Sequence, residues 1–176
     1  MTVAQKDSVQ IDSGQCESPL GTLLIAWRGD RLLSLDFGDF QERFQRLLTR
    51  RYASTGRAVG SVPKSIQTAL DSYFAGELAA LDTLAVEYAG TEFENRVWRT
   101  LRTIPSGATV TYGQIATGLD RPKASRAVGR ANSLNPVAIV VPCHRVIGTN
   151  RKLTGYAGGL QRKQWLLEHE QKHALK

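Results

Sequence analysis

Cys143 and His144 stand side by side in the run Pro142-Cys143-His144-Arg145-Val146. A cysteine attacks as its thiolate, and a free thiol has a pKa of about 8.5. The imidazole of His144 could serve as base, and the guanidinium of Arg145 could make the setting electropositive. Both would raise the thiolate fraction. The adjacency fits a buried, inert cysteine as well, so the surrounding chain has to decide. Glu170 lies in a helix-patterned segment near the C terminus, where a lone glutamate ordinarily faces solvent.

The elements around Cys143 can be read from periodicity. Val137-Ala-Ile-Val-Val141 is the most apolar run in the chain and predicts a short buried strand. Pro142 would end it, having no N–H for a ladder. Upstream, Thr91 with Glu94 and Thr111 with Gln114 are two capping boxes. The first predicts a helix through Phe93, Val97, Trp98 and Leu101, and the second a short helix with Ile115, Ala116 and Leu119. Asp120-Arg121-Pro122 predicts a turn, and a third helix follows from about Lys123 to Ala131, with Ala124, Ala127, Val128 and Ala131 inward. Two short helices joined by a tight turn make a helix-turn-helix. Lys123, Arg126 and Arg130 recur at three and four, which puts them on one face. Such a stripe is either a solvated face or a DNA-contacting one.

Ser133-Leu134-Asn135-Pro136 predicts a turn. Thr154-Gly155-Tyr156-Ala157-Gly158-Gly159 lacks the spacing of a phosphate-binding glycine fingerprint. It reads as a plain turn or as backbone left bare for a flat ligand. A last helix begins near Leu160, packed down by Trp165, Leu166 and Leu167.

The first half carries no concentrated chemistry. Residues 1–17 read as a mobile start without a signal peptide. Leu20 to Trp27 and Leu32 to Phe37 flank Arg28-Gly29-Asp30 and predict a hairpin. Residues 40–52 predict a helix on it, Ser54 to Val62 a loop, Pro63 the start of a second helix with Ile66, Leu70, Tyr73 and Phe74, and Leu84 to Tyr88 a strand. The texture changes at Gly90. Residues 1–90 therefore predict a small α/β structural module, and residues 91–176 a mainly α, helix-turn-helix domain.

Charge is divided the same way. Residues 1–90 hold 9 Lys+Arg against 11 Asp+Glu, net −2, and residues 91–176 hold 14 against 5, net +9, within a total of +7. A basic half bearing the candidate nucleophile points to a polyanionic partner, most simply nucleic acid. Two cysteines in 176 residues suit a reducing, cytoplasmic setting and exclude a disulfide framework. No metal-ligand spacing links them to His144, His169 or His173, and no apolar run reaches the roughly 20 residues of a membrane span.

Taken together, the second half resembles the O(6)-alkylguanine–DNA alkyltransferases. The resemblance rests on Pro142 to Val146, Arg126-Ala127-Val128-Gly129, Asn135-Pro136, Thr154 to Gly159, and Trp165-Leu166-Leu167 with His169-Glu170. It covers roughly residues 91–170, with weaker echoes at Ser18-Pro19-Leu20-Gly21 and Tyr73-Phe74-Ala75-Gly76. It implies a ribonuclease-H-like first module and a single-use, cofactor-free repair reaction. Cys143 would take a methyl or larger alkyl group from the guanine oxygen, and also from O(4) of thymine, and keep it. The lesion base would be flipped out of double-stranded DNA, and Arg126 would fill its place in the stack. Ala127 and Gly129 would allow close approach in the minor groove, with Arg121, Lys123 and Arg130 on phosphates.

In the pocket, the resemblance makes Tyr112 the phenol that stabilises the leaving base and sets it against DNA. Backbone N–H groups near Ala157 and Gly158 would bond the guanine oxygen, carbonyls at Cys143 and Val146 would accept from its amino group, and Tyr156 would complete the wall. Glu170 would orient His144, which takes the thiol proton. Asn135 would tie the active-site turn to the helix-turn-helix. The protein would act as a monomer, with cooperative clustering on DNA open. Arg151 and Ser133 stand where glycines are common, Glu94 where glutamine is usual, and Ala157 lacks a hydroxyl. These departures bear on DNA affinity and on the alkyl groups accepted. The competing readings are a DNA-binding relative without transfer, which the presence of Cys143 opposes, and a cysteine hydrolase, which leaves the basic helix-turn-helix unexplained.

Overall fold

The computed structural model describes residues 10–52 and 57–174. Strands β1 (Ile11–Cys16), β2 (Leu23–Arg28) and β3 (Arg31–Phe37) form an antiparallel meander. Helix α1 (Gln41–Arg51), edge strand β4 (Arg57–Val59), helix α2 (Lys64–Phe74) and the two-residue strand β5 (Ala85–Val86) follow. The sheet order is β4-β1-β2-β3-β5, with β4 and β5 parallel to their neighbours. The expected hairpin is β2–β3, turning at Gly29. Helix α1 covers one sheet face, where Phe44 and Leu48 meet Ile11, Ala26 and Leu33.

The other face belongs to a larger core that spans both halves. Leu23, Ile25, Leu35 and Phe37 share it with Ile66, Leu70 and Tyr73 of α2 and with Val97, Trp98, Val128, Val137 and Leu166 from the second half. The second half is mainly helical: α3 (Glu92–Arg102), β6 (Val110–Thr111), α4 (Tyr112–Gly118), α5 (Ser125–Ser133), β7 (Val146–Ile147) and α6 (Leu160–Ala174). Both capping boxes form, Thr91 with Glu94 on α3 and Thr111 with Gln114 on α4. The Trp98 indole donates to the Ala131 carbonyl (2.9 Å) and fixes α3 against α5.

Several expectations are corrected. Val137 to Val141 is not a strand. One parallel bridge, Leu35 to Val137, joins it to β3, and the chain then turns within the core: Val140 N–H donates to Ala138 O (2.8 Å), and Val141 N–H to Val137 O (2.9 Å). Ile139 has φ 69°, far from an extended conformation and rare for a β-branched residue. An apolar run reports burial, not extension. Ile11–Cys16 is a paired strand rather than part of a mobile start, and residues 1–9 lie outside the described residues. The expected loop from Ser54 to Val62 contains β4, with residues 53–56 outside the described ones. The third helix starts at Ser125, because the Asp120 to Ala124 turn closes through Ala124 N–H to Arg121 O (2.8 Å). Lys123 therefore precedes α5 instead of lying on its face, and Ala127 points to solvent.

Candidate active site

Pro142 delivers Cys143 into a single 3-10 turn, Cys143–Arg145, which runs into β7. The thiol is 4% exposed. It forms the end of a cavity of ≈ 270 Å³. Helix α4 contributes Tyr112 to that cavity, α5 contributes Gly129, Asn132 and Ser133, and the loop before α6 contributes Gly155, Tyr156 and Ala157. The Cys143 sulfur thus opens toward α4 and α5. On the far side of Tyr112 a second hollow of ≈ 300 Å³ is lined by Arg126, Gly129, Gly148 and Thr154 among others.

Behind the thiol lies a buried ionic cluster. Glu170 is fully buried, contrary to what a lone terminal glutamate suggests. Its Oε1 accepts from Tyr73 OH, from His144 Nε2 and from Arg145 Nη2, each at 2.8 Å. Its Oε2 accepts from Arg145 Nε (2.9 Å) and Gly107 N–H (3.1 Å). Burial alone would raise this carboxyl's pKa, but the His144 and Arg145 hydrogen bonds and charges hold it well below the usual carboxylate range. Burial pushes His144 down against the opposing pull of Glu170. A neutral imidazole beside an anionic carboxylate carries its hydrogen on Nε2. That leaves Nδ1 as a bare acceptor, and it is buried without a hydrogen-bond partner in the protein.

Burial pushes the Cys143 thiol up, while the Asn135 side chain and the charges of Arg43 and Lys163 pull it down. The electropositive influence does not come from Arg145, whose guanidinium is taken by Glu170, Ile104 O and Ser106 Oγ. Asn135 braces the turn, donating to Val141 O (2.7 Å) and accepting from Val137 N–H (3.0 Å). The Tyr112 hydroxyl reaches Thr154 O at 3.4 Å, and burial raises its pKa.

The predicted base-pocket residues divide. Tyr156 and Ala157 line the cavity, with the Tyr156 ring edge-on to His144 at 6.5 Å. Val146 and Gly158 do not line it. Val146 is buried and its carbonyl accepts from Lys163 Nζ. Gly158 is required by close packing, since a Cβ there would drive into the Phe37 ring. Of the predicted DNA-facing residues, Arg121, Lys123, Arg126, Ala127 and Arg130 are exposed and Gly129 lines the cavity. Glu94 is held in its capping box, accepting from Thr91 N–H (2.8 Å). Arg151 adopts φ 58°, the left-handed conformation that glycine favours.

Sequence reasoning missed Lys163, Arg43, Asn132 and Tyr73. Lys163 could have been found: Lys163, Leu166, Leu167 and Glu170 follow i, i+3, i+4, i+7, the apolar stripe of α6, with an ion at each end. Arg43 left no such signal. Its guanidinium pairs with Asp36 and donates to Ser133 O (2.8 Å) and Asn135 O (3.0 Å), contacts that only the tertiary fold creates.

Comparison with known proteins finds relatives along most of the chain. Residues 92–172 match the family model described as 6-O-methylguanine DNA methyltransferase, DNA binding domain, and residues 13–88 match its ribonuclease-like domain. The methylated-DNA–protein-cysteine methyltransferase of Shigella flexneri is 49% identical over 87% of this chain and 91% of its own length. That of Mycobacterium tuberculosis is 44% identical over 90% of this chain and 91% of its own. Among solved structures, M. tuberculosis OGT in complex with DNA superposes with TM-score 0.77 and 40% identity, covering 92% of this chain and 94% of that one. The O6-methylguanine-DNA methyltransferase of Pyrococcus kodakaraensis gives 0.71 at 28% identity, covering 91% and 98%. No helix among the described residues is long and apolar enough to cross a membrane.

Proposed function

The chain belongs to the 6-O-methylguanine DNA methyltransferase family, and on that premise we propose that Cys143 is the residue onto which it transfers alkyl groups in repairing DNA. The observation that carries this reading is the cavity joining the Cys143 sulfur to α5, the second helix of the helix-turn-helix.

The substrate is guanine in double-stranded DNA carrying an alkyl group on O(6), and thymine alkylated on O(4) is a second. The lesion base leaves the stack at a cost of a few kcal/mol, reduced because an alkylated base pairs badly. Arg126 occupies the gap, which its exposed place on α5 beside the outer hollow permits. Arg121, Lys123 and Arg130 contact phosphates, and Ala127 and Gly129 permit close approach in the minor groove.

In the pocket, His144 Nδ1 takes the thiol proton through a water, and Glu170 stabilises the imidazolium that results. The Cys143 thiolate attacks the alkyl carbon in line. The S–C bond forms, the C–O(6) bond breaks, and the electron pair departs with guanine, whose developing charge the Tyr112 hydroxyl stabilises by donating a hydrogen bond. A thioether has no route back to thiol, so each molecule acts once and needs no cofactor. Residues 1–90 serve as a structural domain and residues 91–176 as the reactive one. The protein works in the cytoplasm as a monomer, free to cluster on DNA.

The deciding experiment is intact-mass measurement after exposure to an oligonucleotide containing O6-methylguanine. One methyl group per protein, located on the Cys143 peptide, is expected. Repeated turnover, or methyl found elsewhere, would overturn the assignment.

A further inference from the structure

The loop that supplies Gly155, Tyr156 and Ala157 to the cavity has no regular secondary structure, so something other than a ladder must fix it. That something is an ammonium. Lys163 Nζ donates to Val146 O (2.5 Å), Thr154 O (2.8 Å) and Gly155 O (3.5 Å). An ammonium has three donors, and these carbonyls take all of them. Lys163 is 0% exposed, and among the described residues no carboxylate pairs with it. A buried, unpaired cation is costly, and such groups inside proteins are few. Stability alone would favour a leucine on this stripe of α6, next to Leu166 and Leu167.

The position of the clamp argues for function. One of its ends is β7, which directly follows Cys143–Arg145, and the other is the cavity loop. A trans peptide points its N–H opposite to its C=O. With the Gly155 carbonyl drawn to Lys163, the Tyr156 N–H faces away from the ammonium. Burial lowers the Lys163 pKa to about 8, with the charge of Cys143 opposing the fall. The same helix therefore supports the site twice: Glu170 gathers the base and its partners behind the thiol, and Lys163 gathers the loop in front.

We propose that Lys163 is a positioning residue of the base pocket, which draws the carbonyls of Thr154 and Gly155 onto that of Val146 and so fixes Gly155–Ala157 as the wall that receives the base. The inference rests on the reading that this cavity takes the alkylated base. It is tested with Lys163→Met in the full chain, in two reactions followed by mass at the Cys143 peptide. Iodoacetamide needs the thiolate but no wall, and should slow by no more than about 10-fold, the effect of one pKa unit. Free O6-methylguanine needs both, and should slow by a further factor of about 10², as a misplaced wall would cause. Lys163→Arg, which keeps the donors, should recover part of that second factor. Equal slowing of the two reactions by Lys163→Met overturns the proposal.

If Lys163→Met does not fold, amide exchange of the wild-type protein decides. Gly159 N–H, which donates to Tyr156 O (2.9 Å) in the clamped loop, should exchange at least about 10-fold more slowly than Arg151 N–H, which donates to Gly148 O (2.9 Å) outside it. Equal rates overturn the clamp. A wild-type protein that takes no methyl group at all would defeat the proposed function instead, and the exchange measurement would still judge Lys163.

Discussion

The two halves of the molecule bury different things. Among the described residues, the first half buries the polar side chains of Ser34 and Asp36, while the second buries those of Asn132, Asn135, His144, Arg145, Lys163, His169 and Glu170. Even the first-half pair faces the second: Ser34 Oγ donates to Pro136 O (2.9 Å), and Asp36 holds the Arg43 that donates to Ser133 O and Asn135 O. A buried polar group costs free energy unless fully partnered. An apolar core would have met the second half's need for stability as well as the first's. What the ionic interior supplies is orientation: a carboxylate that fixes an imidazole, an amide that fixes a turn, and an ammonium that fixes a loop. The sheet half is optimised for burial and the helical half for placement.

The comparison can be broken most sharply at the sulfur. Cys143→Ser should reduce methyl transfer on the order of 10⁶-fold, as loss of a nucleophile does, while leaving DNA affinity and melting temperature unchanged. A mobility-shift assay and intact mass on one preparation would check both. Retained transfer would move the chemistry elsewhere. Next, Glu170→Gln should strand the buried Arg145 and cost about 3–5 kcal/mol of unfolding free energy in urea melts. A cost under about 1 kcal/mol would mean that the cluster is not integral to the fold. Arg126→Ala should slow repair of duplex DNA about 10²-fold, the worth of a few kcal/mol of unstacking. It should leave reaction with free O6-methylguanine unchanged, and equal slowing of both would remove Arg126 from extrusion.

A smaller effect is expected from pH. The folded-state pKa of His144 is depressed, so the unfolded chain binds the extra proton first. Stability from this site is complete above the unfolded value of about 6.5 and falls as pH drops below it, by at most about 1.4 kcal/mol per pH unit. Thermal melts from pH 7.5 to 5.5 should show that slope, and His144→Gln should reduce it. Glu170, whose pKa is also depressed, contributes above about 4.3 and loses its contribution only at lower pH. The smallest effect belongs to the first half's half-buried pair, whose side chains still reach solvent. Removing Arg28–Glu87 (3.3 Å) with Glu87→Gln should cost less than about 1 kcal/mol. A cost equal to that of Glu170→Gln would erase the contrast between the halves.

Much of this was legible from residue order. Capping boxes are local, four-residue signals, and both formed where Thr91-Glu94 and Thr111-Gln114 place them. The hairpin around Gly29 and the helix starting near Leu160 depend on short-range pattern and were equally readable. Val137 to Val141 misled because burial and extension leave the same apolar mark, and the bend at Ile139 depends on Leu35 and Asn135, which the run itself does not contain. β5 shrank to two residues because pairing with β3 extends only over Arg31 and Leu32. The reach of Arg145 could not be read from its place beside His144, since its partners come from α6 and from Ile104 and Ser106. Spacing reports what one element presents, and long-range polar contacts belong to the pairing of elements.

Phe37, the last residue of β3, packs beneath Gly158 and meets the Tyr156 ring at 6.3 Å, with the Arg162 guanidinium 4.4 Å over its face. The sheet therefore serves as the floor on which the cavity loop stands. The shape of the cavity is consequently set in part by a sheet that contributes no residue to its lining. A change under Phe37 would be felt as an altered appetite for damaged bases before it was felt as unfolding.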